Sequence, residues 1–194
     1  MKARNVFITG ASSGIGKATA YKFAEYGDNL ILCARRKENL NEIAQDIKNK
    51  WRSHVHIYEL DVTNYEDVSS VVKDLEDKDI KIDILVNNAG LASGLDKFQD
   101  SSIEDIEKMI NTNLKGLIYV TRKVIEQMAG ENSGHIINMG STAGIYAYEK
   151  AAVYCASKAA VKTLSDGIRI DIIDKDIKIT TIQPGIVQTD FSEV

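Results

Sequence analysis

The stretch "YCASK", residues 154–158, places a phenol four positions before an ammonium, with only small side chains between them. On a helix this spacing sets Tyr154 and Lys158 on one face, a turn apart. A free phenol titrates near ~10 and donates protons poorly at neutral pH. A neighbouring ammonium stabilises the phenolate and lowers that value. Bringing it close to neutrality takes roughly 4 kcal/mol of differential interaction, and the product is a working acid or base. The spacing alone does not decide, because Tyr119 with Lys123 and Tyr146 with Lys150 repeat it. An exposed helix pair is its ordinary meaning. The surroundings must choose among the three.

Short apolar runs alternate with longer helical patterns along the chain. Strands are expected at 5–9, 29–34, 54–60, 82–88, 135–141 and 177–183, with helices near 14–26, 37–50, 65–77, 102–129 and 151–174. Thr63 or Asn64 is placed to cap the third helix. Strand and helix alternate six times, the pattern of a parallel sheet covered on both faces. Right-handed crossovers then favour a three-layer, doubly wound α/β fold of Rossmann type, with strand order 3-2-1-4-5-6. No linker, repeat or second domain is visible, so residues 1–194 are expected to form one domain.

In such sheets ligands bind beyond the carboxyl ends of the strands. Those ends read "TGASSGIG", "CARRK", "LDVT", "NNAG", "GSTAG" and "QPGIVQT". They are rich in Gly, Ser, Thr, Asn and Asp, which packing alone does not demand. Ser141 is expected to end the fifth strand with its hydroxyl toward the crevice, thirteen residues before Tyr154. Tyr146 falls in an expected loop, so it and Lys150 need not share a helix face. Tyr119 sits on the flank of the long helix. Tyr154 and Lys158 instead open a helix whose small residues Cys155, Ala156, Ser157, Ala159 and Ala160 leave room for a ligand. Asn113 lies on the apolar stripe of the long helix, between Ile110 and Leu117, where an amide needs hydrogen-bond partners.

Gly10, Gly14 and Gly16 lie between the first strand and first helix. Glycine there permits a tight turn and lets backbone N–H groups approach a phosphate at the positive helix end. A site for NAD would place an acid near the second strand's end, to bond the ribose 2′-hydroxyl. This chain has Arg35, Arg36 and Lys37 instead. Arg35 can fork onto a 2′-phosphate, and Arg36 can cover the adenine or add charge. Cations oppose the dipole at a helix amino end, so their placement calls for an anion, and NADP is favoured over NAD.

Composition removes other classes. A net charge of −4 argues against a nucleic-acid partner. No apolar run reaches the ~20 residues needed to span a membrane. The start "MKARNVFITG" enters a strand at once, so no signal peptide is expected. Cys33 and Cys155 form no zinc or redox spacing, and His54, His56 and His135 make no recognisable metal set. A cytoplasmic, metal-free protein is expected.

Together, "TGASSGIG", "NNAG", Asn113, Ser141, "YCASK" and "PGIVQT" resemble the short-chain dehydrogenase/reductase superfamily, in order and over the whole chain. "NNAGLASGLDKFQDSSIEDIEKMINTNLKG" and "PGIVQTDFSEV" are similar to its NADP-dependent 3-hydroxy acid dehydrogenase branch, which acts on serine, allo-threonine and related acids. The resemblance implies NADP(H) as cofactor and a small hydroxy acid or carbonyl as substrate. It implies that Tyr154 passes the proton, Lys158 lowers its pKa and bonds the nicotinamide ribose, and Ser141 holds the reacting oxygen. Asn113 would fix a water linking Lys158 to solvent. Gly10, Ser12, Ser13, Gly14, Ile15 and Gly16 would hold the cofactor with Arg35 and Arg36. Asp61 and Val62 would meet the adenine, Asn88 and Gly90 the cofactor's middle, and Val187 and Thr189 the carboxamide. Homodimers or homotetramers are implied too. The family usually continues past "PGxxxT" with a lid and a seventh strand, which this chain is expected to lack. Two alternatives stay open: a 3-oxoacyl carrier-protein reductase, and a non-catalytic NADP sensor on the same fold.

Overall fold

Alternation along the central strands divides their side chains between two cores. Phe7, Ile31, Leu85 and Ile136 face one side, while Val6, Ile8, Leu30, Leu32, Ile84 and Val86 face the other. Such two-sided burial requires cover on both faces. The computed structural model describes residues 3–189. Its strands are β1 (Asn5–Thr9), β2 (Asn29–Ala34), β3 (Val55–Glu59), β4 (Ile84–Asn87), β5 (Gly134–Met139) and β6 (Ile177–Ile182). They form one parallel sheet in the order β3-β2-β1-β4-β5-β6, as expected.

Helices α1 (Gly14–Glu25) and α2 (Lys37–Lys50) cover one face through Ala20, Ala24, Leu40, Ile43 and Ile47. Helices α3 (Tyr65–Asp77) and α5 (Leu117–Glu131) cover the other through Val68, Val72, Leu75, Val120, Val124 and Met128. Full burial of each such aliphatic side chain is worth about 1.5–3 kcal/mol. Asn64 caps α3, its Oδ1 accepting from the N–H groups of Glu66 and Asp67. Because β1 leads to α1 on one face and β4 to α5 on the other, a crevice opens between the carboxyl ends of β1 and β4.

Two expectations need correction. The single helix over 102–129 is three segments: α4 (Ile103–Ile110), a π-helical turn at Asn111–Gly116, and α5. Hydrophobic period marks the buried stripe but not the hydrogen-bond register, and the wide turn forms where Asn113 bonds outside the helix. Ser141 does not end β5, which stops at Met139; it precedes a short 3₁₀ turn at Thr142–Gly144, and its hydroxyl accepts from the Ala143 N–H. The final helix, α6, runs Ala152–Asp171. The "DFSEV" end of the last quoted motif lies outside the described residues.

Candidate active site

The turn after β1 is built for a backbone approach. Gly10 has φ +64°, and a Cβ there would stand 2.9 Å from the Ala89 Cα. A side chain on Gly16 would collide with the Gly10 carbonyl and the Asn88 amide. Asn88 ties the two sides of the crevice together: its Nδ2 donates to the carbonyls of Thr9 at 3.0 Å and Gly10 at 3.1 Å. Buried Thr9, a position not singled out from sequence, accepts through Oγ1 from the N–H groups of Asn88 and Ala89.

Helix α1 starts after Ser13 with no side-chain cap and no acid in its first turn. Its first N–H groups thus receive no capping side chain, a setting that suits an anion. Arg36 reaches across this turn, its Nη2 donating to Ser13 Oγ at 2.9 Å and Ser12 Oγ at 3.3 Å. Arg35 beside it is exposed. The guanidinium anchored on the glycine turn is therefore Arg36, whereas the sequence pattern put the weight on Arg35. Thr189 packs over Gly14, bringing the loop after β6 onto the same turn, and Val187 of that loop is exposed. Asp61 is held in its own turn by accepting from Thr63 N and Oγ1, while buried Val62 packs against Gly116 of the π turn. Ile15 lies in the first turn of α1 and is half-buried.

At the other end of the crevice, Lys158 is buried and donates to the Met139 carbonyl at 2.9 Å. Burial lowers its pKa to about 8. Its ammonium stands 5.8 Å from the centre of the Tyr154 ring. The phenol does not show the lowering expected from the spacing. Burial pushes Tyr154 above the ordinary phenol value, the Ser141 hydrogen bond pulls it down, and Cys155 adds to the rise. Desolvation of the phenolate outweighs its partners in the protein alone.

Asn113 is buried, and its amide is fully engaged. Oδ1 accepts from Leu91 N at 2.8 Å, and Nδ2 donates to Leu91 O at 2.8 Å and Ser157 Oγ at 3.1 Å. Ser157 in turn donates to the Tyr154 carbonyl at 2.7 Å. Gly90 lies against both centres: a Cβ there would start 3.2 Å from Asn113 Oδ1 and 3.5 Å from Lys158 Nζ. Asn113, Ser141, Tyr154, Lys158 and Gly90 thus gather at one place. Ser157 and the Met139 carbonyl also belong there. Only the small size of Ser157 was visible in sequence, and backbone acceptors leave no sequence signal.

These features fit a dinucleotide phosphate cofactor: glycines that admit a backbone-close ligand, an uncapped helix start, Arg36 above it with Arg35 adjacent, and a buried cation beyond. A wider groove of about 320 Å³, lined by Lys48, Trp51, Arg52 and His54 among others, lies at the amino end of β3, away from this chemistry.

Comparison with known proteins agrees with that geometry. A fission-yeast (Schizosaccharomyces pombe) NADP-dependent 3-hydroxy acid dehydrogenase is 40% identical over 195 residues, covering 100% of this chain and 75% of the relative. Sulfoacetaldehyde reductase 2 of Chromohalobacter salexigens is 40% identical over 190 residues, covering 97% of this chain and 75% of the relative. The closed form of serine dehydrogenase complexed with NADP⁺ superposes with a TM-score of 0.93 at 40% identity, over 97% of this chain and 75% of that one. The family model for short chain dehydrogenases matches residues 4–194, and this chain belongs to that family.

Proposed function

We propose that this protein is an NADP-dependent oxidoreductase that moves a hydride between the nicotinamide and a secondary alcohol or carbonyl, with a 3-hydroxy acid such as serine or allo-threonine as substrate. The observation that carries this reading is the convergence of buried Tyr154, Lys158 and Asn113 with half-buried Ser141 at the carboxyl end of the sheet. The relatives' names add that 3-hydroxy acids and sulfoacetaldehyde are substrates of similar chains. Both are small molecules bearing an anionic group near the reacting carbon.

NADP(H) supplies the hydride equivalent when bound. The residues that would hold it are Gly10, Ser12, Ser13, Gly14, Ile15 and Gly16 at the phosphates, with Arg35 and Arg36 at the 2′-phosphate. Asp61 and Val62 would meet the adenine, Asn88 and Gly90 the middle, and Val187, Thr189 and Lys158 the nicotinamide end. Tyr154, kept protonated by burial, holds the proton to be passed to a carbonyl oxygen that Ser141 steadies, and donation calls for its raised pKa to fall once cofactor and substrate are bound. Lys158, lowered to about 8, titrates near working pH, the range in which a proton relay is most effective. The Asn113 amide is spent on Leu91 and Ser157, so we assign the water-holding role beside Lys158 to its backbone carbonyl in the π turn.

The chain acts as one cofactor-binding and catalytic domain, supported by its single continuous sheet. A cytoplasmic homo-oligomer fits two buried free cysteines and the exposed side chains of Phe98, Ile103, Ile170 and Ile173. The test follows NADPH absorbance with 3-oxo acids, and NADP⁺ with 3-hydroxy acids. Tyr154→Phe is expected to cut kcat about 10²–10⁴-fold with NADPH affinity retained. Undiminished turnover would overturn the assignment.

A further inference from the structure

Lys150 has a backbone conformation that its residue type does not favour. Its φ is +63°, and among the described residues only Asp79 and Asn132 are also non-glycine residues with positive φ. Those two end helices, Asn132 as the C-cap of α5 and Asp79 just after the C-cap of α3. Asn and Asp tolerate that region, whereas a long unbranched side chain gains nothing from it. Lys150 ends no helix. It is the third residue of the Tyr148–Ala151 turn, closed by Ala151 N donating to the Tyr148 carbonyl at 3.4 Å. Glycine is the ordinary choice there when φ is positive.

The side chain has no packing reason for its place. Lys150 is exposed and makes no ion pair among the described residues. It does line a small cleft with Tyr154, Gly94, Leu95, Ser101 and Met109. Lys150 is the one charged residue of that lining, and neighbouring Glu149 does not contribute. A strained position in the lining of a cleft that Tyr154 also borders points to a function.

We propose that Lys150 is a specificity-determining residue that pairs with the anionic group, a carboxylate or sulfonate, of the substrate reacting at Tyr154. The inference rests on the reading above that Tyr154 meets the reacting oxygen. A 3-hydroxy acid carries its carboxylate one carbon from the carbinol, so an anchor must sit within a side chain's length of Tyr154. Lys150 borders the same cleft with a long, flexible ammonium arm. Lys158 is unsuited to this task, being buried and bonded to Met139.

The test compares the unaltered protein with Lys150→Gly, which suits the positive φ and so keeps folding safe, and with Lys150→Arg, which keeps the charge. Calorimetry measures 3-hydroxypropanoate binding to protein saturated with NADPH, a pair that cannot turn over. Propane-1,3-diol is the uncharged control. Lys150→Gly is expected to weaken acid binding about 10–100-fold, Lys150→Arg only a few-fold, and diol binding is expected to change equally little in both. In turnover, the ratio of kcat/KM for a 3-oxo acid over a neutral ketone should fall by the same factor in Lys150→Gly. Equal acid binding in Lys150→Gly and the unaltered protein, or diol losses matching acid losses, would overturn the proposal. If the unaltered protein oxidises NADPH with ketones while that ratio is insensitive to position 150, the Lys150 assignment alone fails. Absence of all turnover with carbonyls overturns the oxidoreductase reading, while the binding comparison still judges Lys150.

Discussion

Tyr154–Lys158 and Tyr119–Lys123 have the same spacing on two helices, yet they are chemically opposite. Lys158 is buried, bonded to a backbone carbonyl, and lowered to about 8 by the loss of water. Lys123 is raised instead, by a hydrogen bond with Tyr65 and the charge of Glu126, whose carboxylate is 3.6 Å away. Tyr154 has the Lys158 ammonium 5.8 Å from its ring. Tyr119 has Lys115 at 5.9 Å and packs edge-on against Tyr65, while Lys123 faces the Tyr65 ring. Four-residue spacing therefore brings a tyrosine and a lysine to one helix face without fixing what they do. Burial against the crevice decides that for one pair, and surface neighbours decide it for the other.

The sharpest way to break this contrast is to remove each phenol in turn. Tyr154→Phe should cost about 10²–10⁴-fold in kcat, whereas Tyr119→Phe should leave kcat within about twofold, since the change removes only a hydroxyl from a half-buried ring that packs on the α3–α5 core rather than at the crevice. Steady-state rates with NADPH and a 3-oxo acid measure both. Comparable losses in the two variants would mean that spacing matters more than surroundings.

Removing the ammoniums tests the energetics. Lys158 titrates at about 8 in the folded protein against an ordinary 10.5. Between those values the unfolded chain binds more protons, so stability from this group rises with pH from about 8 to 10.5, and the penalty is complete below 8. Lys158→Met removes that penalty but also orphans the Met139 carbonyl. It should be more stable than the parent by about 1–3 kcal/mol at pH 7, with the gap narrowing toward pH 10.5, while turnover collapses. Lys123→Met should show no such gain. Urea unfolding at pH 7 and pH 10 distinguishes them, and a Lys158→Met variant less stable than the parent at pH 7 would show that burying this cation is not costly.

Much of this was legible in the residues, for reasons that differ by element. β1, β2, α2 and α3 fall on the expected residues because apolar runs, charged helix faces and the Asn64 cap are local signals. The glycine turn was legible because only glycine fits there, as Gly10 and Gly16 demonstrate. The π turn was not, because its cause is Leu91, twenty-two residues before Asn113 and bonded to it. Nor was the roof of Arg36 over Ser12 and Ser13, since adjacent arginines look alike until the backbone points one of them. The rise in the Tyr154 pKa was hidden for the same reason: spacing reveals a partner, while desolvation depends on the assembled fold.

Ser157 offers the finest discrimination, because it joins the two halves of the site without being a proton-transfer group. Its hydroxyl accepts from Asn113 at 3.1 Å and donates to the Tyr154 carbonyl at 2.7 Å, in a fully buried position. Ser157→Ala removes both bonds at little change in volume. Asn113 Nδ2 still has the Leu91 carbonyl, so only part of its hydrogen bonding is lost. The expected cost is about 1–2 kcal/mol of stability, with kcat reduced less than about tenfold, since α6 itself still positions Tyr154. A double-mutant cycle with Asn113→Ala should return a coupling of about 0.5–2 kcal/mol in urea unfolding. Thr121→Ser on the helix of Tyr119, which keeps the hydroxyl accepting from Asn87, should show no coupling to Asn113. Zero coupling between positions 157 and 113 would mean that the crevice residues are neighbours rather than one supported unit, and that burial alone separates Tyr154 from Tyr119.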